Sequence, residues 1–181
     1  MTSPRFPDIM AAVDTGIAAV RIRAAAREEA GLLTDIAHEA KRHWQYPERW
    51  IATWRESLTL TGEIIARQPT VVAEHDGLVA GFYSIRDLGD RWSLEHLWVR
   101  PRFMGGGVGR ALLADAAGHV RRHGGQILWI ESDPNAEGFY LAMGARRVGQ
   151  IASDPDGDER VLPCLELDVI AEAGAEPRGE P

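Results

Sequence analysis

A glycine-rich turn lies at the junction between a predicted strand and a predicted helix. It follows the segment WSLEHLWV and contains Gly105, Gly106, Gly107 and Gly109. The first N–H groups of a helix have no partner within the helix and point outward at the positive end of its dipole. Because glycines let an anion approach the backbone closely, the turn predicts a phosphate or pyrophosphate site, flanked by Arg102 and Arg110.

The spacing of these glycines distinguishes the turn from two other nucleotide sites. A P-loop needs Lys and then Ser or Thr after its last glycine, whereas Arg110 and Ala111 follow Gly109 here. A dinucleotide fingerprint needs GxGxxG, but Arg110 or Leu112 occupies the third glycine position. Glu131 lies about where a ribose-binding carboxylate would be, so a dinucleotide-binding protein stays open as a disfavoured alternative.

The elements around this turn predict a mixed sheet. Period-two patterns indicate strands over 70–75 and 78–85, joined at Asp76-Gly77, and over 92–99. Helical periodicity indicates a helix that begins near Val108 and ends at Gly124-Gly125. The other predicted elements are strands over 18–24, 126–132, 146–151 and 161–169 and helices over 27–42, after Pro47, over 62–67 and within 133–145. This order predicts an α+β or mixed α/β fold with one parallel βαβ unit.

Length and composition exclude several classes of protein. A chain of 181 residues suggests one domain, which we expect over 16–170, with mobile ends at 1–15 and 171–181. The net charge of −7, from 27 acidic and 20 basic residues, argues against a nucleic-acid partner. No membrane span or signal peptide is evident, so a cytoplasmic protein is expected. No metal site is predicted, and the acidic segment 153–160 is interpreted as a solvated loop.

The glycine turn resembles the coenzyme-binding turn of the GCN5-related N-acetyltransferase (GNAT) family. That family has a strand, a Q/R-x-x-G-x-G/A turn and a helix that together hold the pyrophosphate of coenzyme A. In this chain the pattern falls on residues 104–109. Gly107 and Gly109 match it, whereas Met104 stands where the family has Gln or Arg.

A second motif of that family follows the next strand. The family pattern is N-x-x-A-x-x-x-Y-x-x-x-G-F, and Ala136, Tyr140 and Gly144 match it. Asp133 stands at the Asn position and Ala145 at the Phe position. The resemblance covers about residues 18–170 and implies the GNAT fold, a central and mostly antiparallel sheet flanked by helices.

The resemblance implies acetyl-CoA as the acyl donor. The sheet would splay at the strand over 92–99, where the pantetheine arm pairs with exposed main chain and an N–H of Leu97 or Val99 polarises the acetyl carbonyl. The implied coenzyme-binding residues are Leu97, Trp98, Val99, Met104, Gly105, Gly106, Gly107, Val108, Gly109, Arg110, Asp133, Asn135 and Tyr140.

The resemblance also implies catalytic groups. Tyr140 is the candidate general acid, because a phenol with a pKa near 10 is protonated at neutral pH and can donate to the leaving sulfur. Glu95 is the candidate base for the acceptor amine. Strand alternation places His96 on the face opposite to Glu95. His96, Glu131 and water stay open as alternative bases.

The resemblance implies that the acceptor pocket is formed by the first helices and the late strands, which draws attention to the turn between the first helices. Aromatic side chains can line a pocket or hold an amine by cation–π contact, and the candidates are His43, Trp44 and Tyr46. Trp50 and Trp54 lie four residues apart, which indicates a core stripe.

These observations predict a GNAT-type N-acetyltransferase that acts by direct attack of a primary amine in a ternary complex. The acceptor would be an unidentified small-molecule or peptide amine, and a homodimer is a further possibility. The alternatives are a non-catalytic acyl-CoA-binding or sensor module and a protein-lysine or N-terminal acetyltransferase.

Overall fold

The structure is a computed structural model that describes residues 20–170. The predicted mobile ends, 1–15 and 171–181, lie outside the described residues. The strands in the described range are β1 (Arg21–Ala24), β2 (Thr70–His75), β3 (Leu78–Asp87), β4 (Trp92–Val99), β5 (Ile127–Glu131), β6 (Arg146–Ser153) and β7 (Arg160–Asp168). Its helices are α1 (Ala30–His43), α2 (Glu48–Thr53), α3 (Arg55–Leu58), α4 (Gly62–Arg67), α5 (Val108–Arg122) and α6 (Glu137–Ala142).

One sheet contains all of these strands. Its order is β1-β2-β3-β4-β5-β7-β6. Every neighbouring pair is antiparallel except β4 and β5, which are parallel and are connected through α5. The predicted fold class is therefore confirmed, with one parallel pair at the centre of an otherwise antiparallel sheet.

The tight hairpin between β2 and β3 forms where it was predicted. Asp76 and Gly77 have φ angles of 53° and 73°. Two successive residues with positive φ are typical of the hairpin turns whose twist matches that of the flanking strands. This hairpin fixes the register of β3, and β3 in turn provides the inner neighbour of β4.

The sheet has a separate core on each face. On one face α5 contributes a buried stripe that packs against the middle of the sheet; the residues of the stripe are Val108, Leu112, Leu113, Ala116 and Val120. On the other face α1 packs against β2 and β3 through Leu33, Ile36 and Ala37. Strand β4 lies between the two cores.

The helical region before the sheet is more divided than the periodicity predicts. A short 3₁₀ turn, Arg27–Glu29, precedes α1. The predicted helix after Pro47 forms as α2 and α3, because Trp54 ends one and begins the other with a near-zero ψ of 1°. Thr61 caps α4 by accepting from the Ile64 N–H at 3.2 Å, as its position before a helical stretch indicates.

Candidate active site

A cavity of about 440 Å³ opens where β4 and β5 separate. The two strands pair only as far as Leu94 and Ile130. Beyond this point the parallel ladder ends, and both strands line the cavity from opposite sides. The split leaves one main-chain edge of β4 without a strand neighbour, as the resemblance implies.

Two contacts define which main-chain groups of β4 face the split. The Arg100 N–H donates to the Ala80 carbonyl of β3 at 2.8 Å. The Trp98 carbonyl also faces β3, since a Cβ built on Gly81 would lie 2.5 Å from that oxygen. Main-chain groups alternate along a strand, so those of Leu97 and Val99 point to the open edge. Trp98 reaches the cavity through its side chain, whereas its main chain belongs to the sheet.

A β-bulge at Glu95 corrects the predicted facing of this strand. Ile85 pairs with Leu94 and Ser84 pairs with His96, so Glu95 is the extra residue. Leu94 and Leu97, three residues apart, consequently pack against the same core. The Glu95 carboxylate lies 3.2 Å from the guanidinium of Arg86.

The bulge places Glu95 and His96 on one face. Ser84 and Arg86 lie on the same face of β3 by alternation. His96 pairs with Ser84 and the Glu95 carboxylate contacts Arg86, so both side chains of β4 lie on that face. The prediction that His96 lies opposite to Glu95 is therefore wrong, because strict alternation does not hold through a bulge. The shared face is the one that α1 covers.

The glycine turn forms the N-terminus of α5. Gly105 and Gly107 have φ angles of 78° and 84°, which favour glycine over any residue with a side chain. The first helical bond runs from the Ala111 N–H to the Gly107 carbonyl at 3.0 Å. The N–H groups of residues 108–110 precede that bond and have no partner one turn back. This arrangement fits an anionic group at the cavity.

The turn also meets the neighbouring helix closely. Gly109 lies where α5 meets α6, since a Cβ there would be in van der Waals contact with the ring of Phe139 at 3.4 Å. Met104 and Arg110 line the cavity together with the glycines. Residues fitted to hold a pyrophosphate are therefore present, although the side chain at position 104 is apolar.

Tyr140 lies on α6 and is only 6% exposed. Its hydroxyl has no hydrogen-bond partner among residues 20–170, but the oxygen is accessible to solvent. The hydroxyl therefore opens to the cavity that Tyr140 lines. Burial, followed by the negative charge of Asp133, raises the pKa of Tyr140 well above its usual range. A phenol in this state is a proton donor throughout the neutral range.

Asp133 is held by three side chains from distant parts of the chain. Its carboxylate accepts from Lys41 Nζ at 2.6 Å, from the Tyr46 hydroxyl at 2.7 Å and from Arg160 at 3.0 Å. The side chains of Lys41, Asp133 and Arg160 are 8%, 10% and 9% exposed. These four residues, which we call the Asp133 cluster, connect α1, the segment after it, the end of β5 and the start of β7.

Burial and charge shift the pKa values of three members of the Asp133 cluster. Burial, followed by the hydrogen bond to Asp133, raises the pKa of Tyr46 to about 12. Burial alone would raise the pKa of Asp133, but the charge and hydrogen bond of Lys41, together with the hydrogen bonds from Tyr46 and the Asn135 N–H, lower that pKa to about 2. Burial lowers the pKa of Lys41, and the attraction of Asp133 offsets this only in part. Asp133 is thus ionised and already bound by its own chain, so its carboxylate serves the protein more directly than the coenzyme.

Aromatic rings enclose the cations of the Asp133 cluster. Lys41 Nζ lies 4.1 Å from the ring centre of Trp54 and 4.8 Å from that of Tyr46. The Arg160 guanidinium lies 4.9 Å from each of the same two rings. Trp54 also packs against the core beneath α1, as predicted. Trp50 contacts the Trp54 ring but donates its indole N–H to Asp158 at 2.6 Å, so it is only partly a core residue.

The three predicted acceptor residues occupy different places. Trp44 lines the cavity next to Ala40 of α1. His43 contacts Trp44 edge to face, with ring centres 5.1 Å apart. Tyr46 is the hydroxyl member of the Asp133 cluster and also accepts from the Asn135 side chain at 2.7 Å. Asn135 itself lines the cavity.

Sequence reasoning missed Lys41, Trp54 and Arg160 as parts of the site. Lys41 carried a signal, because it is the only lysine in a chain with 20 basic residues. Arg160 lies at the end of the acidic segment that was interpreted as a solvated loop, and the structure buries it. Glu131, another candidate base, lies exposed at the end of β5 and accepts from the Trp129 indole at 3.3 Å.

Residues 20–170 contain no group of three side chains that could hold a metal ion. In the same range no helix is long and apolar enough to cross a membrane.

Comparison with known proteins identifies the family. The chain matches the sequence profile of the Acetyltransferase (GNAT) family over residues 32–145. It belongs to the GNAT acetyltransferase family. Membership confirms the resemblance, the enzyme class and acetyl-CoA as the donor implied by it.

A curated relative and several solved structures agree with this family. The chain is 30% identical over 119 residues to an L-methionine sulfoximine/L-methionine sulfone acetyltransferase of Salmonella typhimurium, covering 59% of this chain and 67% of the relative. The paiA N-acetyltransferase of Thermoplasma acidophilum, solved in complex with coenzyme A, superimposes with a TM-score of 0.64 at 21% identity, covering 83% of this chain and 99% of that one. An acetyltransferase-like protein of Salmonella typhimurium, solved with acetyl-CoA, gives a TM-score of 0.62 at 21% identity over 88% of this chain and 99% of its own. At these identities, the structures support the fold.

Proposed function

We propose that this GNAT protein transfers the acetyl group of acetyl-CoA to a primary amine by direct attack in a ternary complex. One observation carries the proposal. The glycine turn, the open main-chain edge of β4 and the hydroxyl of Tyr140 all face one cavity. Acetyl-CoA supplies the acetyl group as an activated thioester, and the chain supplies the groups that bind it and move protons.

The donor is bound mainly by main-chain groups. The N–H groups of Val108, Gly109 and Arg110 receive the pyrophosphate, because they lie at the positive end of the α5 dipole. Leu97 and Val99 pair with the pantetheine arm along the open edge of β4, and one of their N–H groups polarises the acetyl carbonyl. Met104, Gly105, Gly107, Trp98 and Asn135 shape the walls. Gly106 contributes only to the turn, and Asp133 acts by fixing the segment that leads to α6.

Two side chains move protons in the proposed reaction. The Tyr140 hydroxyl donates its proton to the sulfur as the thioester bond breaks. Glu95 removes a proton from the acceptor amine, directly or through water. Glu95 lies in the same cavity and its side chain is 23% exposed. Glu131 or water stays an alternative for the base.

The acceptor is proposed to be a small-molecule amine. Trp44 and Asp133, which the other members of the Asp133 cluster hold in place, line the side of the cavity where we place the acceptor. The Salmonella relative is named for two small amino acids, which supports an acceptor of that size. A peptide amine, a homodimer and a cytoplasmic location stay predictions.

The replacement Tyr140→Phe tests the proposed function. It removes the donor hydroxyl and keeps the ring, so kcat for thiol release should fall about 100-fold or more. Acetyl-CoA affinity, measured by calorimetry with NADH as the control ligand, should stay within twofold.

Tyr83→Phe provides the matched control. Tyr83 is also a buried tyrosine, but its hydroxyl donates to Asp115 at 2.7 Å, outside the cavity. This variant should lose stability and keep its kcat. Unchanged turnover in Tyr140→Phe would remove the general-acid role. Acetyl-CoA binding without turnover on any amine would instead favour the non-catalytic acyl-CoA-binding module.

A further inference from the structure

A hydrogen bond from Trp98 fixes the tautomer of His96. The two side chains lie two residues apart on the same face of β4, and the Trp98 indole N–H donates to His96 Nδ1 at 3.2 Å. An indole nitrogen can only donate, so Nδ1 must present its lone pair. A neutral imidazole in this arrangement carries its proton on Nε2.

The surroundings of His96 keep the ring neutral. Its ring centre lies 6.0 Å from that of Phe82, within the apolar layer beneath α1. Burial lowers the pKa of His96 to about 4. At neutral pH the side chain is therefore uncharged.

Trp98 is itself held in position. Its ring packs against the core beneath α1, and Lys41 Nζ of the Asp133 cluster lies 5.8 Å from its centre. A cation over the face of an indole is attracted to it. The indole is thereby oriented on one side by the cluster and on the other by His96.

Nε2 of His96 faces the side of the cavity that Trp44 lines, where we place the acceptor. No group within residues 20–170 forms a hydrogen bond with Nε2, and this atom is accessible to solvent. His96 lines the cavity together with Ala40 and Trp44 of the α1 side. The glycine turn belongs to α5, which covers the opposite face of the sheet.

We propose that His96 is a fixed hydrogen-bond donor, through Nε2–H, to an oxygen of the amine acceptor. The oxygen would belong to a carboxylate, carbonyl or sulfonyl group near the reacting amine. This assignment rests on the proposed function and makes His96 a specificity residue. A role as base would need a lone pair on Nε2, which requires exchange of the tautomer and loss of the bond from Trp98.

The tautomer is tested without any substrate. In protein labelled with ¹⁵N-histidine, the His96 signals are assigned by their loss in His96→Gln. We expect Nε2 to be protonated and Nδ1 to be unprotonated from pH 5 to pH 8. Trp98→Phe removes the indole donor and should produce a mixture of tautomers. A protonated Nδ1, or a titration of His96 near neutrality, would overturn the proposal.

The acceptor contact is tested with L-methionine sulfone, which has carboxylate and sulfonyl oxygens, and with n-butylamine, which has none. His96→Phe removes the donor and keeps a ring, so KM for L-methionine sulfone should rise about three- to tenfold. His96→Gln restores an N–H near the same place and should recover most of this loss. The KM for n-butylamine should be equal in all three proteins.

The pH profile separates a donor from a base. The other ionisable side chains that line this cavity are Glu95, Glu131, Asp133, Arg110 and Tyr140, and the acceptor amine ionises as well. An ionisation that persists in His96→Phe belongs to one of these groups, and we expect the shape of the kcat/KM profile to be unchanged. Loss of an ionisation, or a Gln variant no better than the Phe variant, would overturn the proposal. Absence of wild-type turnover with every amine would contradict the proposed function instead, and the NMR result would then still decide the tautomer.

Discussion

The two halves of the cavity are built from different parts of the polypeptide. The proposed donor half consists mainly of main chain, namely the glycine turn and the open edge of β4. The proposed acceptor half consists of side chains: Trp44, His96 and Asp133 line the cavity, and Asp133 is held by Lys41, Tyr46 and Arg160. Main-chain sites depend on local backbone conformation, whereas side-chain sites depend on every element that contributes to them. The donor half should therefore tolerate change outside its own loop, and the acceptor half should not.

The largest expected effect breaks the acceptor half through Asp133. In Asp133→Ala the buried cations Lys41 and Arg160 lose their shared carboxylate, which should reduce the free energy of unfolding by about 3–5 kcal/mol. Chemical denaturation measures this change. The control is Asp158→Ala. Like Asp133, Asp158 accepts hydrogen bonds from a cation and from an aromatic residue, here Arg49 and the Trp50 indole, but its side chain is 42% exposed. Equal losses in both variants would contradict the idea that burial makes the Asp133 cluster important.

Acid provides an independent test of the same cluster. The pKa of Asp133 is about 2 in the folded chain and near 4 when unfolded. A lowered pKa contributes stability above the unfolded value, and this contribution is lost as pH falls through the folded value. Between about pH 4 and pH 2 wild-type protein should thus lose on the order of 2 kcal/mol that Asp133→Asn does not lose.

A smaller effect is expected in the donor half from Gly107→Ala. Gly107 has a φ of 84°, so alanine there strains the turn that presents the N–H groups. Acetyl-CoA affinity, measured by calorimetry, should fall about tenfold, for a strain of roughly 1–2 kcal/mol.

Gly89→Ala controls for backbone strain. Gly89 has a φ of 88°, and like Gly107 it has open space around its Cα, but it lies in the turn between β3 and β4. This variant should be destabilised similarly and should bind acetyl-CoA normally. A tenfold loss of affinity in both variants would show that the effect at Gly107 is not local.

The smallest effect is expected from Arg110, the arginine beside the glycine turn that lines the cavity. Arg110→Gln should weaken acetyl-CoA binding about threefold at low salt, because exposed charge pairs contribute little. The difference should shrink in high salt, where charges are screened. Arg121→Gln, at the other end of α5, should leave affinity unchanged at either salt concentration. A loss of 100-fold in Arg110→Gln would mean that side chains dominate the donor half after all.

The sequence predicted the fold and the form of the glycine turn for a local reason. The Asp76-Gly77 hairpin, the strand over 92–99 and the turn before Val108 are each encoded in short runs of residues, and local patterns can be interpreted without tertiary information. The predicted orientation of Glu95 relative to His96 was wrong, because a bulge depends on how two strands pair and cannot be recognised from the periodicity of one strand.

The acceptor half could not be predicted because its contacts join residues far apart in sequence. Lys41 and Asp133 are separated by 92 positions, and Tyr46 and Arg160 by 114. The family resemblance and the local cluster of aromatic residues predicted an acceptor pocket near Trp44. Only the tertiary structure shows that Tyr46 and Trp54 surround protein cations and that Trp98 orients His96.

The bulge at Glu95 has a consequence for how β4 can vary. Because Glu95 is an extra residue, Leu94 and Leu97 both face the α5 core. Before the bulge the even-numbered residues of β4 face that core, and after it the odd-numbered residues do. Deleting Glu95 would remove the extra residue and restore regular alternation, so every side chain that follows would keep its face of the sheet. Deleting two residues here would instead move every following side chain to the opposite face. Natural or engineered variants of this strand can therefore lose the bulge and keep their two faces, whereas a further single deletion would exchange them.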